Sequence, residues 1–91
     1  MRVLRRIRQA VRERQYRISS HANEEMSNDE LVLEDIERIL LTGEIRRTLA
    51  DDPRGDRYEI VGDAIDGRRG CVVCRFLPSD VLLLITIYAE E

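Results

Sequence analysis

An α+β domain is expected from three features of the sequence. Apolar residues recur at helical spacing through the first 43 positions. From Glu44 onward the spacing becomes alternate, as in strands. Short turn-forming segments, "DDPRGD", "DGRRG" and "PSD", separate the strand-like stretches. Helices followed by strands joined through short connections imply N-terminal helices packed on one face of a four-stranded, or slightly larger, antiparallel sheet. The 91 residues suffice for one core, so a single domain over 1–91 is expected.

The elements follow in order. Val3, Leu4, Ile7 and Val11 make an apolar stripe on an otherwise arginine-rich helix. "QYRIS" reads as a short strand. Ser20 is a plausible N-cap for a short helix reaching Met26, since a serine hydroxyl can accept a bond from an early backbone N–H. "LVLEDIERILLTG" is the clearest helix, with Val32, Ile36, Ile39 and Leu40 on one face and Gly43 ending it. "EIRRTLA", "RYEIVGDAI", "CVVCRFL" and "VLLLITIYA" are four strands, the second and third joined at Asp66-Gly67.

Alternation sorts the two sheet faces. Ile45, Leu49, Tyr58, Ile60, Val72, Cys74, Phe76, Val81, Leu83, Ile85 and Ile87 are expected under the helices. The open face then collects Arg46, Arg57, Glu59, Arg75, Thr86 and Tyr88, beside Cys71.

Charge is uneven. Residues 1–20 carry seven arginines against Glu13, while residues 21–91 carry eight arginines against seventeen acids. A basic start can grip phosphates, and the acidic remainder opposes that grip. Every basic side chain is arginine, so Schiff-base chemistry has no lysine. No apolar run approaches the ~18 residues of a membrane span, and the start lacks a secretory pattern, so a cytoplasmic protein without membrane contact is expected.

"CVVC" has redox or zinc spacing. In a strand, however, residues three apart face opposite ways, and one histidine cannot complete a four-ligand site. No metal and no cofactor are expected. The single histidine, His21 in "ISSHANEEM", is either a surface residue near a helix start or a proton-transfer group.

"SSHANEEMSNDEL", "EDIERILLTGEI", "DDPRG", "RYEIVG", "DGR", "VVCRFLP" and "ITIYAEE", in that order, resemble an uncharacterised prokaryotic domain family with a Ser-x-His-Ala opening and a Thr-x-Tyr strand. The resemblance covers roughly residues 16–90 and leaves 1–14 as an arginine-rich helical extension. That family is similar to RelE-like toxins of toxin–antitoxin pairs, which implies an RNA-cleaving activity. It also implies an antitoxin partner, in some members a small zinc-finger protein. On this reading His21 or Glu59 is the base, Tyr88 or His21 the acid, and Arg46, Arg57 and Arg75 bind the RNA phosphate. Many members carry a second histidine where this chain has Cys71, a departure that bears on activity. The alternative is a non-enzymatic interaction domain of the same fold, its sheet face or edge docking a partner. A homodimer, formed through the first helix, is a further expectation.

Overall fold

In the computed structural model, which describes residues 2–90, three helices and five strands alternate as α1 (Arg2–Arg12), β1 (Tyr16–Ile18), α2 (Ser20–Asn28), α3 (Leu33–Thr42), β2 (Glu44–Leu49), β3 (Arg57–Asp63), β4 (Arg69–Phe76) and β5 (Leu82–Ala89). The sheet order is β1-β5-β4-β3-β2. The α+β class is as expected. The wholly antiparallel sheet is not: the short strand β1 pairs parallel with β5, Tyr16 opposite Leu82 and Ile18 opposite Leu84. Leu82 lies sixty-odd residues away in sequence, and no local pattern encodes so distant a pairing. The helices cover one face. Ile7, Ala22, Ile36, Ile39, Leu40, Ile60, Val72, Cys74, Leu82, Leu84 and Ile87 meet there, each fully buried.

Two bulges change the facing residues. Between β4 and β5 the register slips after Val73, which pairs with Thr86, whereas Cys74 pairs with Leu84. Ile85 is the extra residue. The first half of β5 is therefore out of phase with simple alternation: Leu82 and Leu84 are buried, and Leu83 and Ile85 are not. Only Ile87 of the expected inward set on this strand is in the core; Val81, Leu83 and Ile85 are not. Between β2 and β3 the extra residue is Arg46, since Ile45 pairs with Ile60 and Arg47 with Glu59. The slip brings Arg46 and Arg47 together against Glu59. It also moves Leu49, opposite Arg57, onto the open face rather than the core.

The helix ends correct two further expectations. The N-cap of α2 is Ser19, not Ser20: its hydroxyl accepts the Ala22 N–H at 3.0 Å and donates to the Ile85 carbonyl at 3.0 Å. Val32 caps α3 and is half exposed instead of lining its buried face. Asp35, nearly buried, completes that junction by accepting the N–H groups of Val32 and Ile65, both at 3.0 Å.

Gly43 ends α3 with an ordinary φ of −80°. Its requirement is space. A Cβ there would lie 2.4 Å from both the Ile39 and Val61 carbonyl oxygens, so the chain can turn directly from α3 into β2 only without a side chain. Gly67, at φ +88°, supplies the left-handed turn residue of the β3–β4 hairpin.

The apolar stripe of α1 packs as its spacing predicts. Ile7 and Val11 are buried, and Val3 and Leu4 rest partly buried against the core. Its arginines meet none of the acids of α2. Arg6 lies over the Phe76 ring at 4.1 Å and near Asp80, and Arg8 donates to the Gly43 carbonyl at 2.9 Å.

Candidate functional site

The open face of the sheet carries a charged cluster centred on Glu59. Cross-strand pairing dictates its members: Arg47, Glu59, Val73 and Thr86 form one row, and Val61, Cys71 and Tyr88 the next. Arg46 reaches Glu59 through Nε to Oε1 at 2.6 Å, and Arg47 through Nη2 to Oε2 at 2.9 Å. Arg46 also donates to both oxygens of Glu90, at 3.0 and 2.9 Å, and its Nη2 points at the Cys71 sulfur at 3.8 Å. Glu59 is only 4% exposed, an ionised carboxylate buried under two guanidiniums. Those cations, Arg47 first, hold it below the usual glutamate range although burial pushes the other way.

Tyr88 stands beside this group. The adjacent Cys71 thiol, then burial, push its hydroxyl up to about 12, so it stays a proton donor at neutral pH. Cys71 itself is fully buried, although it lies on the open face, because Arg46 and Tyr88 roof it over; burial raises its thiol. Cys74 is on the helix face and is raised to about 12 by burial. The two thiols of "CVVC" thus look in opposite directions, and both are unlike the low-pKa thiols of redox sites. Among the described residues no group of histidine, cysteine and acidic side chains has metal-binding geometry.

The remaining expected site residues are dispersed. Arg57 lies on the open face but turns to Asp51 and Asp52, at 3.9 and 3.5 Å. Arg75, opposite Leu83, leans toward the Arg54 carbonyl at 3.4 Å. These two occupy the end of the face next to the β2–β3 loop, away from Glu90. Arg46 and Glu59 are brought together as alternation suggests. Arg47 escapes sequence reasoning because only the bulge turns it to the same side.

His21 sits on the exposed first turn of α2. Its Nε2 is 3.1 Å from Glu25 Oε1, one helical turn on. Among the described residues it has no hydrogen bond or ion pair with Glu59, Tyr88 or an arginine. Glu25 explains this placement. Beyond Leu84, β1 no longer covers β5, and α2 takes over that edge. Glu25 accepts the Ile87 N–H at 3.1 Å and Asp29 the Ala89 N–H at 2.9 Å. Two carboxylates four apart on a helix thus satisfy two N–H groups two apart on a strand. Arg68 closes the far end, donating to the carbonyls of Asp29 and Glu30 at 2.6 and 2.8 Å.

A family model described as "Domain of unknown function (DUF4258)" matches residues 18–89. The chain belongs to this family. The DUF4258 segment spans β1 to β5 and holds every residue of the Glu59 cluster but Glu90, while α1 precedes it. No curated protein and no solved structure matches the chain. No helix among the described residues is long and apolar enough to cross a membrane.

Proposed function

We propose that this DUF4258 protein is a metal-independent endoribonuclease of the RelE-like kind, the toxin half of a toxin–antitoxin pair, with its site on the open sheet face. One observation carries the reading: a buried carboxylate, two guanidiniums and a proton-donating phenol converge within two adjacent rows of that face. RNA cleavage by its own 2′-hydroxyl needs these three functions.

Glu59 is the base. An arriving phosphate draws Arg46 and Arg47 away from Glu59, which loses the cations that depress its proton affinity. The carboxylate therefore becomes more basic as the substrate binds. It takes the 2′-hydroxyl proton, the oxygen attacks phosphorus, and a 2′,3′-cyclic phosphate forms as the bond to the 5′-oxygen breaks. Tyr88 gives its proton to that leaving oxygen. Arg46 and Arg47 stabilise the charge gathering on the phosphoryl oxygens. Arg57 and Arg75 lie on the same face and take a neighbouring phosphate. His21 is a positioning residue: it holds Glu25, which fixes the β5 backbone next to Tyr88.

Induced expression in bacteria, with growth and total RNA followed, tests the reading. The protein should halt growth and fragment RNA, and Glu59→Gln or Tyr88→Phe should remove both effects. The pH–rate profile separates the roles. With Tyr88 as the acid, no alkaline limb appears near about 6.5, the ordinary histidine value. A limb there, abolished in His21→Gln, would give the acid's role to His21 instead.

A second reading, a binding domain without catalysis, is favoured by Val32, Leu33 and Ile65. These exposed apolar side chains gather around Asp35 at the start of α3. Harmless overexpression together with an intact fold would favour it.

A further inference from the structure

We infer that the arginine face of α1 is a second anion site, which holds the phosphate backbone of a nucleic-acid strand independently of the Glu59 cluster. Arg5, Arg8 and Arg12, with Leu4, line one surface depression. Arg5 and Arg12 are exposed and have no ion pair among the described residues, and the same holds for Arg2 at the start of the helix. The chain has eighteen acidic residues, yet none is set against these three cations.

Arg8 adds a more specific signal. Its Nη2 is used on the Gly43 carbonyl, but its Nε is buried and has no acceptor. A buried donor without a partner costs stability, so an acceptor arriving in the depression is favoured there beyond simple charge attraction. Guanidinium groups present paired N–H donors that match phosphate oxygens.

The spacing favours a polymer over a single anion. Positions 5, 8 and 12 stagger the cations along about 10 Å of helix axis. A row of that length meets successive charges of a strand. The site also lies apart from the open face, because α1 packs on α3 in the helical layer. Apolar anchoring by Ile7 and Val11 keeps the helix fixed. Its arginines are therefore presented rigidly, not on a mobile tail. The helix precedes the family segment, so this is a property of this chain and not of DUF4258 domains in general.

Binding of a single-stranded oligodeoxythymidylate is the test. It lacks the 2′-hydroxyl, so the outcome does not depend on cleavage by Glu59. Fluorescence anisotropy would be followed across a salt series for the wild type, for Arg5→Gln/Arg12→Gln, and for a charge-matched control, Arg54→Gln/Arg69→Gln. The α1 variant should bind at least tenfold more weakly at low salt. Its slope of log affinity against log salt should be shallower by about one, since each phosphate contact on a single strand contributes ~0.7. Thermal melting should be unchanged, because both side chains are exposed. Equal weakening in the control, or no change in the α1 variant, would overturn the inference. A wild type that ignores the oligonucleotide but forms a dimer, split by Arg5→Gln/Arg12→Gln in sedimentation, would overturn it in favour of self-association.

Discussion

Glu59 shows how one side chain can serve both fold and chemistry. Its carboxyl is depressed in the folded state, so the stability it adds is present above the ordinary value of 4.5 and is lost as pH falls through the depressed value. Denaturation midpoints should therefore drop on acidification below that value, and the drop should be smaller in Glu59→Gln. That substitution should cost about 1–3 kcal/mol at neutral pH, because Arg46 and Arg47 lose a charged acceptor. Unchanged midpoints would show that the ion pairs contribute nothing in solution. The thiols give a second prediction. Cys71 and Cys74 are both fully buried and raised, so neither should react with a thiol reagent until the protein unfolds. Rapid labelling of the native protein would show that the roof of Arg46 and Tyr88 over Cys71 opens. Strand alternation was enough to place Glu59, Arg46 and Tyr88 on one face. It could not reveal that Arg47 joins them or that Cys71 is buried there, since both follow from which residues bulge and which long side chains fold over.

The edge of β5 is managed by a helix. Ser19, Glu25 and Asp29 satisfy backbone groups of β5 that β1 is too short to reach. The acidic motif of α2 therefore has a structural cause, whatever its further role. Glu25→Ala and Asp29→Ala should each destabilise by about 1–3 kcal/mol, since each strands a strand N–H. Ser19→Ala should cost about 1 kcal/mol through the lost cap. In the two acid variants, hydrogen exchange of the Ile87 and Ala89 amides should accelerate selectively. Uniform acceleration along β5 would mean that α2 holds the strand by packing instead. The elements themselves were legible from period and turn residues. The parallel β1–β5 pairing and the two bulges were not, because register is set by contacts across the sheet and a single extra residue inverts every position before it.

Residues 1–12 lie before the family segment, yet the molecule is built around them. Ile7 is fully buried among residues of the core, and Arg8 clamps the C-terminal end of α3. Ile7→Ala should cost about 2–5 kcal/mol, the usual range for emptying a buried aliphatic site. A loss of less than 1 kcal/mol would show that α1 is only loosely attached. The α+β class and the apolar stripe of α1 could be read from spacing alone. The separation of two cationic surfaces, one on each layer, emerged only with the packed fold. The central claim is that the open face cleaves RNA through Glu59. Its most direct test is incubation of the purified protein with a single-stranded RNA and chelator, alongside Glu59→Gln of verified fold. The account predicts fragments ending in a 2′,3′-cyclic phosphate, formed without metal and at least a hundredfold more slowly by the variant, the usual loss when a general base is removed. Intact RNA with the wild type, or equal cleavage by both proteins, would contradict it.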